Sequence, residues 1–525
     1  MMLGRRLLLA APLAIPALRP ALGQASTRVS LVHVNDFHSR HEGGQANGAS
    51  CRVADPCLGG SARLVAAVKA ARAAAEAEGR ATLTLDGGDE FMGSLFYTLH
   101  RGAAEAAIQH LWGVEAMALG NHEFDHGPEN LARYLDILRK PIVAANLDTS
   151  AEPALDGKVR PAVELTRGGQ RVVVIGLITE TTPNVASPGP RLRFRNAEEV
   201  TERAVAEARA QGPATVVVLS HRGIEADRRM AARVAGIDAI VGGHSHTILA
   251  NRPDAEGPAP VLVDGRDRTV RIVQAGALGR FVGRLDLDLA EGGRVVAHKG
   301  DATEITPDMP EDAEALAVVA RFAEPLGDLR ARPVASATSA FDNGNCRQAE
   351  CAIGNVIAEA LLAAAPGSDI AIHNGGGIRA SLPAGTVTYG DVLTTMPFGN
   401  TLATLTIRGG DLRAALENGL SQPGGGRFPQ VAGIRIVADM SRPAGQRLVS
   451  AEVLAGERAG PLDNERAYRV VTHNFLRRGG DGYAPFRDAA LDSYDTGPLV
   501  EEVVSAWMGT RSPLSPMTDG RIALR

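Results

Sequence analysis

Along the first 300 residues, short apolar runs alternate with stretches whose apolar positions recur every three or four residues. The runs 29–34, 82–85, 172–178, 216–219 and 239–241 read as buried strands. Between them, 61–78 and 197–210 read as Ala-rich helices. Strands alternating with helices predict a layered α/β domain over 28–300. Every one of these runs except 172–178 is followed within a few residues by Asp or His. Open α/β sheets take ligands beyond such strand ends. From 307 to 332 the pattern changes to one acidic helix between Pro310 and Pro333, which predicts a connector over 301–332. Residues 333–525 read as a second α/β domain with Gly-rich turns at 374–377, 424–426 and 479–482.

The first 25 residues follow a different logic. Arg5 and Arg6 precede an apolar stretch, 7–18, broken by Pro12 and Pro16, with small residues around 23–25. That order is a secretory signal. The apolar stretch is shorter than the ~20 residues a spanning helix needs, and the two prolines oppose a short buried helix. Gly4-Arg5-Arg6-Leu7-Leu8-Leu9 also fits a twin-arginine export signal. No second stretch of membrane length follows. A periplasmic or secreted protein without a membrane anchor is expected, most simply a monomer.

Length and charge narrow the class. At 525 residues the chain has room for two or three domains. Hydrophobic residues at 45% and charged residues at 22% exclude a mainly disordered chain. A net charge of −5, from 55 basic and 60 acidic residues, argues against a nucleic-acid polymer as partner. The four cysteines allow three connectivities. Local pairing, Cys51–Cys57 and Cys346–Cys351, is favoured because each closes a short loop, stabilising by ~2 kcal/mol at most. Neither pair has the spacing or the neighbouring His of a metal site.

The candidate chemistry lies at the strand ends. Five clusters occur in order: Asn35-Asp36-Phe37-His38, Asp86-Gly87-Gly88-Asp89, Gly120-Asn121-His122-Glu123-Phe124-Asp125, Ser220-His221-Arg222-Gly223 and Gly242-Gly243-His244-Ser245-His246. Singly, each reads as a capped turn or a surface His. Together they supply the mixed oxygen and nitrogen donors of a dinuclear catalytic site, and 11 of the 13 His fall before residue 300. Asp125, three residues after His122, is placed to fix that imidazole in one tautomer. In the second domain, Phe398 and Phe475 sit beside glycines, where core residues are unusual, and two rings can sandwich a base. Arg347 and Arg379 offer forked donors.

The five clusters resemble the calcineurin-like metallophosphoesterases. Cys346-Arg347-x-x-x-Cys351, Gly354-Asn355, Asn374 to Arg379, Pro397-Phe398-Gly399 and Asn474-Phe475-Leu-Arg-Arg-Gly-Gly-Asp481-Gly resemble the C-terminal domain of the 5′-nucleotidase family. That family includes periplasmic UDP-sugar hydrolases and ecto-5′-nucleotidases. The resemblance implies a four-layer αββα domain joined by a helical connector to a smaller α/β nucleotide-binding domain. It implies two divalent ions, Zn, Mn or Co, bridged by Asp89. One ion takes Asp36, His38 and His246; the other takes Asn121, His221 and His244. Position 246 varies within the family. His122 with Asp125 is implied to stabilise the transition state. Phe398 and Phe475 would clamp the base, Asn374 would contact it, Asp481 would accept from ribose, and Arg347 and Arg379 would hold phosphate or ribose oxygens. A hinge near 300–335 is implied too.

The expected activity is hydrolysis of nucleoside 5′-monophosphates. The rivals are a UDP-sugar or 2′,3′-cyclic-nucleotide hydrolase, a sulfur-oxidation hydrolase of the same fold (disfavoured because the Phe and Arg positions are filled), and a nucleotide-binding protein without turnover. The remaining residues read as structural. His33 and His373 are expected to make ordinary hydrogen bonds, Trp112 and Trp507 to pack, and the basic helix face from Arg63 to Arg72 to be solvated.

Overall fold

The computed structural model describes residues 27–44, 57–454, 456 and 458–525. The export segment and Cys51 lie outside these residues. In the first domain two sheets stack face to face. One is built on the parallel strands Thr27–Val34, Ala81–Asp86, Ala116–Ala118 and Ile142–Val143, extended by the antiparallel hairpin Phe281–Leu289 and Val295–Glu304. The other has parallel strands Gln170–Ile178, Thr215–His221, Ala239–Gly242 and Thr269–Val273, with antiparallel strands Ala162–Arg167 and Val261–Asp264 at its edges.

Leu31, Leu85 and Val143 of one sheet meet Val174, Val217 and Val241 of the other in an apolar layer. Gly176 lets the sheets touch, since a Cβ there would lie 2.1 Å from the Val143 carbonyl oxygen. Helices Ser61–Ala77, Ala103–Trp112 and Gly127–Leu138 cover the outer face of the first sheet. Helices Ala197–Ala210 and Ile224–Arg233 cover the second. This is the αββα order, and covering both faces of each sheet explains why the strands read as unbroken apolar runs.

The second domain has a five-stranded sheet in the order Pro429–Ala432, Ile370–Asn374, Ala467–His473, Leu402–Arg408, Asp492–Tyr494. Helices Ala352–Ala364 and Val500–Gly509 share one core with it, and Gly409–Leu420 shares another. Among the described residues, no helix is long and apolar enough to cross a membrane.

Four expectations are corrected. Strand Val295–Glu304 carries the first domain's sheet past residue 300. The connector is two helices, Ala313–Ala323 and Leu326–Ala331, parted at Glu324-Pro325, where proline interrupts the hydrogen-bond ladder. The first packs on the first domain through Ala315 and Val318, and Leu326 of the second meets Tyr389 of the second domain. The basic helix face is solvated only in part: Lys69 is exposed while pairing with Asp312 at 2.7 Å, but Arg63 is half-buried against Glu311 at 3.0 Å. His33 makes no hydrogen bond. Both ring nitrogens are buried without a partner, and burial pushes the ring down to about 4, so it stays neutral. Its ring lies over Gly283, where a Cβ would come within 2.0 Å of Nε2.

The other structural readings agree with the fold. His373 Nδ1 lies 2.9 Å from the Asn374 carbonyl. Trp112 is in the core, and Trp507 packs on the second-domain core with Arg511 over its ring at 4.2 Å. The Cys346–Cys351 disulfide is formed, with Cα atoms 5.1 Å apart. Cys57 is also disulfide-bonded.

Candidate metal centre and the cleft beside it

The five clusters converge at the C-terminal ends of the strands of both sheets. The turns that carry them are held in an unusual backbone state. Asp36, His38, Asp89, His244 and His246 all have left-handed φ, between 50° and 75°. For residues other than glycine this costs of order 1–3 kcal/mol each, and it concentrates at functional sites. The turns brace each other: Asp36 N–H donates to the Gly88 carbonyl at 2.8 Å, and His38 N–H to that of Asp89 at 3.0 Å. Gly120 makes room for Asp89, because a Cβ there would lie 2.1 Å from Asp89 Oδ1.

The side chains form three overlapping groups whose donor atoms lie within 4.8 Å of one another: Asp36, His38 and His246; His38, Asp89 and His122; Asp89, His221 and His244. His246 Nε2 is 3.3 Å from Asp36 Oδ1 and 3.0 Å from His38 Nε2. His221 Nε2 is 3.0 Å from Asp89 Oδ2, out of line for a hydrogen bond. Asp89 thus stands between the two sets.

Their outer atoms are already committed. His38 Nδ1 is 3.0 Å from the Phe91 carbonyl and His221 Nδ1 is 2.7 Å from that of Gly87. Each Nδ1–H therefore points outward to a carbonyl and Nε2 points toward the centre, the atom that would meet a cation. Asn35 steers Asp36, donating to its Oδ2 at 2.8 Å and to the Gly276 carbonyl at 2.7 Å.

Several inward atoms have no protein partner. Asp89 Oδ2, both amide atoms of Asn121, His122 Nε2, His221 Nε2 and His244 Nδ1 are buried without a hydrogen bond. Orphaned buried polar atoms are costly and rare. Grouped on a carboxylate, an amide and three imidazoles, they fit divalent cations. Burial by itself raises the Asp36 and Asp89 carboxyls, but neighbouring His246 and His221 overcome it and hold both below the usual range. Burial pushes His38 down to about 3 and His244 to about 4, the neutral form a metal requires. His221 goes the other way: burial lowers it, but the Asp89 and Asp36 carboxylates outweigh that and raise it to about 10, so a cation held there would have to displace its proton.

His122 is anchored at 2.5 Å from Nδ1 to Asp125 Oδ2, and its backbone N–H donates to Asp89 Oδ1 at 2.9 Å. Burial lowers its imidazole, yet the Asp125 and Asp89 carboxylates outweigh that and raise it to about 9. Nε2 faces His38, the ring centroids 5.2 Å apart. The sequence reading passed over Glu123, whose buried carboxylate accepts from the backbone N–H of Asp89 at 3.0 Å, Glu90 at 2.9 Å and Gly120 at 2.6 Å. Its place directly after Asn121-His122 was the available signal.

Across the cleft, Arg347, Asn374, Arg379, Phe398, Phe475 and Asp481 line one cavity of about 230 Å³. Asn374 is already engaged: its amide donates to Asp481 Oδ2 at 2.7 Å and its side-chain carbonyl lies 3.0 Å from His473 Nε2. Arg379 lies over the Phe398 ring at 5.8 Å. A second cavity of about 240 Å³ covers His38, His122 and His246. Phe398 and Asn400 line both, so the two cavities adjoin. Asn400 was also missed, although it directly follows Pro397-Phe398-Gly399.

Residues 29–247 match the family described as calcineurin-like phosphoesterase, and 327–488 match the 5′-nucleotidase C-terminal domain. An apyrase of Tabanus yao is 33% identical, covering 94% of this chain and 93% of its own. The crystal structure of a 5′-nucleotidase precursor from Thermus thermophilus is 38% identical, with TM-score 0.62 over 95% of this chain and 99% of that one. The NAD nucleotidase of Haemophilus influenzae is 26% identical, with TM-score 0.78 over 95% and 99%. The chain belongs to the 5′-nucleotidase family of calcineurin-like phosphoesterases and is a metal-dependent phosphoester hydrolase.

Proposed function

We propose that this member of the 5′-nucleotidase family is an exported enzyme that hydrolyses nucleoside 5′-monophosphates to nucleoside and phosphate at a dinuclear centre. The observation that carries the reading is the adjoining pair of cavities. One covers the orphaned donor cluster, the other is walled by Phe398 and Phe475, and Phe398 and Asn400 belong to both. A nucleotide laid across them has its phosphate at the cluster and its base between the rings.

Asp36, His38 and His246 would hold one cation, Asn121, His221 and His244 the other, with Asp89 shared. Zn, Mn or Co suit these donors. Bound there, such ions supply an acidified water and positive charge over the phosphoryl oxygens. The chain supplies the rest. His122, held through Nδ1 by Asp125, presents Nε2 as a donor to charge developing on the phosphoryl or leaving oxygen. Asp481, steered by Asn374, accepts from ribose hydroxyls, and Arg347 and Arg379 hold phosphate or ribose oxygens. Rotation at the Glu324-Pro325 break would open the cleft. The Cys346–Cys351 bond and the N-terminal signal pattern support an oxidising, extracytoplasmic setting.

The test is turnover of AMP, UDP-glucose and 2′,3′-cyclic AMP by the purified protein with and without chelator. AMP should be the best substrate and chelator should abolish its cleavage. Binding of AMP without any cleavage would sink the reading.

A further inference from the structure

The tandem Arg477-Arg478 stands inside the turn that carries Phe475 and Asp481, and nothing above uses it. The two arginines diverge. Arg477 grips Asp495 through Nε at 2.5 Å and Nη2 at 3.0 Å. Arg478 touches the same carboxylate only through Nε, at 3.4 Å, and points Nη2 across the cleft to within 3.4 Å of His246 Nδ1. It belongs to the second domain yet lines the cavity over His38, His122 and His246.

The contact with His246 is chemically unlike those of the neighbouring rings. His38, His122 and His221 each point Nδ1 at a carbonyl or carboxylate oxygen. His246 points Nδ1 at a guanidinium, which only donates. Nδ1 can accept from Arg478 only while the ring's hydrogen is on Nε2, the atom that faces Asp36 and His38. A cation held at Nε2 would leave the ring's hydrogen on Nδ1, so the guanidinium would face another donor. As it stands, Arg478 Nη2 has, among the described residues, only this 3.4 Å contact at the mouth of the centre and keeps donor capacity to spare. An acceptor placed against both donors removes the conflict, and in this cavity the acceptor of matching charge is a phosphoryl oxygen. The other charged side chains on its walls are Arg40, Arg280 and Glu256, so cations predominate there.

We propose that Arg478 is a phosphoryl-contacting residue delivered by the second domain, donating through Nη2 to a non-bridging oxygen of the phosphate held at the centre. The inference rests on the hydrolase reading. It makes domain docking itself part of phosphate recognition, with the nucleoside and the phosphate gripped by one turn, through Phe475 and Arg478.

Calorimetric titration of inorganic phosphate, and separately of adenosine, into zinc-loaded protein tests this, with zinc content measured on each variant. Arg478→Ala should weaken phosphate binding about tenfold or more, the loss of a charge-assisted hydrogen bond. Adenosine affinity and zinc content should stay within about twofold, since the change removes neither a clamp ring nor a ligand atom, and the lost contact to His246 is a long one at 3.4 Å. Arg478→Lys should fall between, because it keeps the charge without the fork. Phosphate affinity unchanged in Arg478→Ala, or an equal loss of adenosine affinity, overturns the proposal. Turnover of AMP is scored on the wild type alone. Cleavage with Arg478-independent phosphate binding defeats only this inference. Arg478-dependent phosphate binding without cleavage upholds it and defeats the hydrolase reading.

Discussion

The two walls of the cleft are built on opposite principles. On the first-domain wall, Asp36, Asp89, Asn121, His122 and His221 are each no more than 1% exposed, and several of their inward atoms have no partner. Two of them stand on left-handed backbone. On the second-domain wall, Arg347, Phe398, Phe475 and Asp481 are half-buried and Arg379 is exposed. The polar pair Asn374 and Asp481 has already satisfied itself. The first wall has desolvation and strain built in before any ligand arrives, as electrostatic preorganisation demands. The second keeps area and donors in reserve for a ligand that enters and leaves. On the proposed reading, chemistry resides where the fold is committed, and recognition where it is not.

Removing the cations should break this contrast most sharply. Chelation should lower the AMP rate at least ~10³-fold, with recovery on adding Zn or Mn, because water activation and phosphoryl charge neutralisation go together. Tm should also fall, since the cations bind the folded state selectively. Next, His122→Ala should lower kcat by about 10²–10⁴-fold while metal content holds. A near-normal rate would remove His122 from the mechanism.

Glycine substitutions sharpen the comparison from each side. Gly120→Ala would drive a methyl to 2.1 Å from Asp89 Oδ1 and should cost metal affinity. Gly375→Ala would drive one to 2.0 Å from the Cys346 carbonyl oxygen, beside the cavity walled by Phe398 and Phe475, and should raise KM with metal content intact. Metal analysis beside steady-state kinetics separates the two. Phe475→Ala should raise the KM for AMP about 5- to 160-fold with little change in kcat, from the loss of ~1–3 kcal/mol of stacking. Reducing Cys346–Cys351 should have the smallest effect, a few-fold rise in KM. That bond shapes the loop of Arg347, which Gln430 also holds through the Cys346 and Ala349 carbonyls at 2.9 Å and 2.8 Å.

Much of the fold was legible in the chain. The helix 197–210 was read to the residue, and five apolar runs became strands within two residues at either end. They were legible because strands buried on both faces are locally conspicuous. The hairpin Phe281–Leu289 and Val295–Glu304 was not, because its outer strand is largely exposed and polar, VVAHKGDATE. The connector's acidic character was read correctly, but its partners Arg63 and Lys69 lie some 240 residues away in the chain. His33 was misread because an isolated His in an apolar strand carries no local sign of whether a partner awaits it.

By itself the sequence determined the kind of chemistry. Asp, Asn and His after a strand, glycines where backbone must pass closely, and phenylalanines stranded among glycines are all local facts, fixed by residue type and spacing. Only the tertiary structure decided which of those atoms share a centre. His221 and His244 leave one sheet and meet Asp36 and Asp89 of the other because an apolar layer stacks the two sheets. Asn374 turned to Asp481, and Arg478 reached His246 across the domains, for the same reason. Such partnerships depend on how whole layers and domains dock, and no short stretch of chain records that.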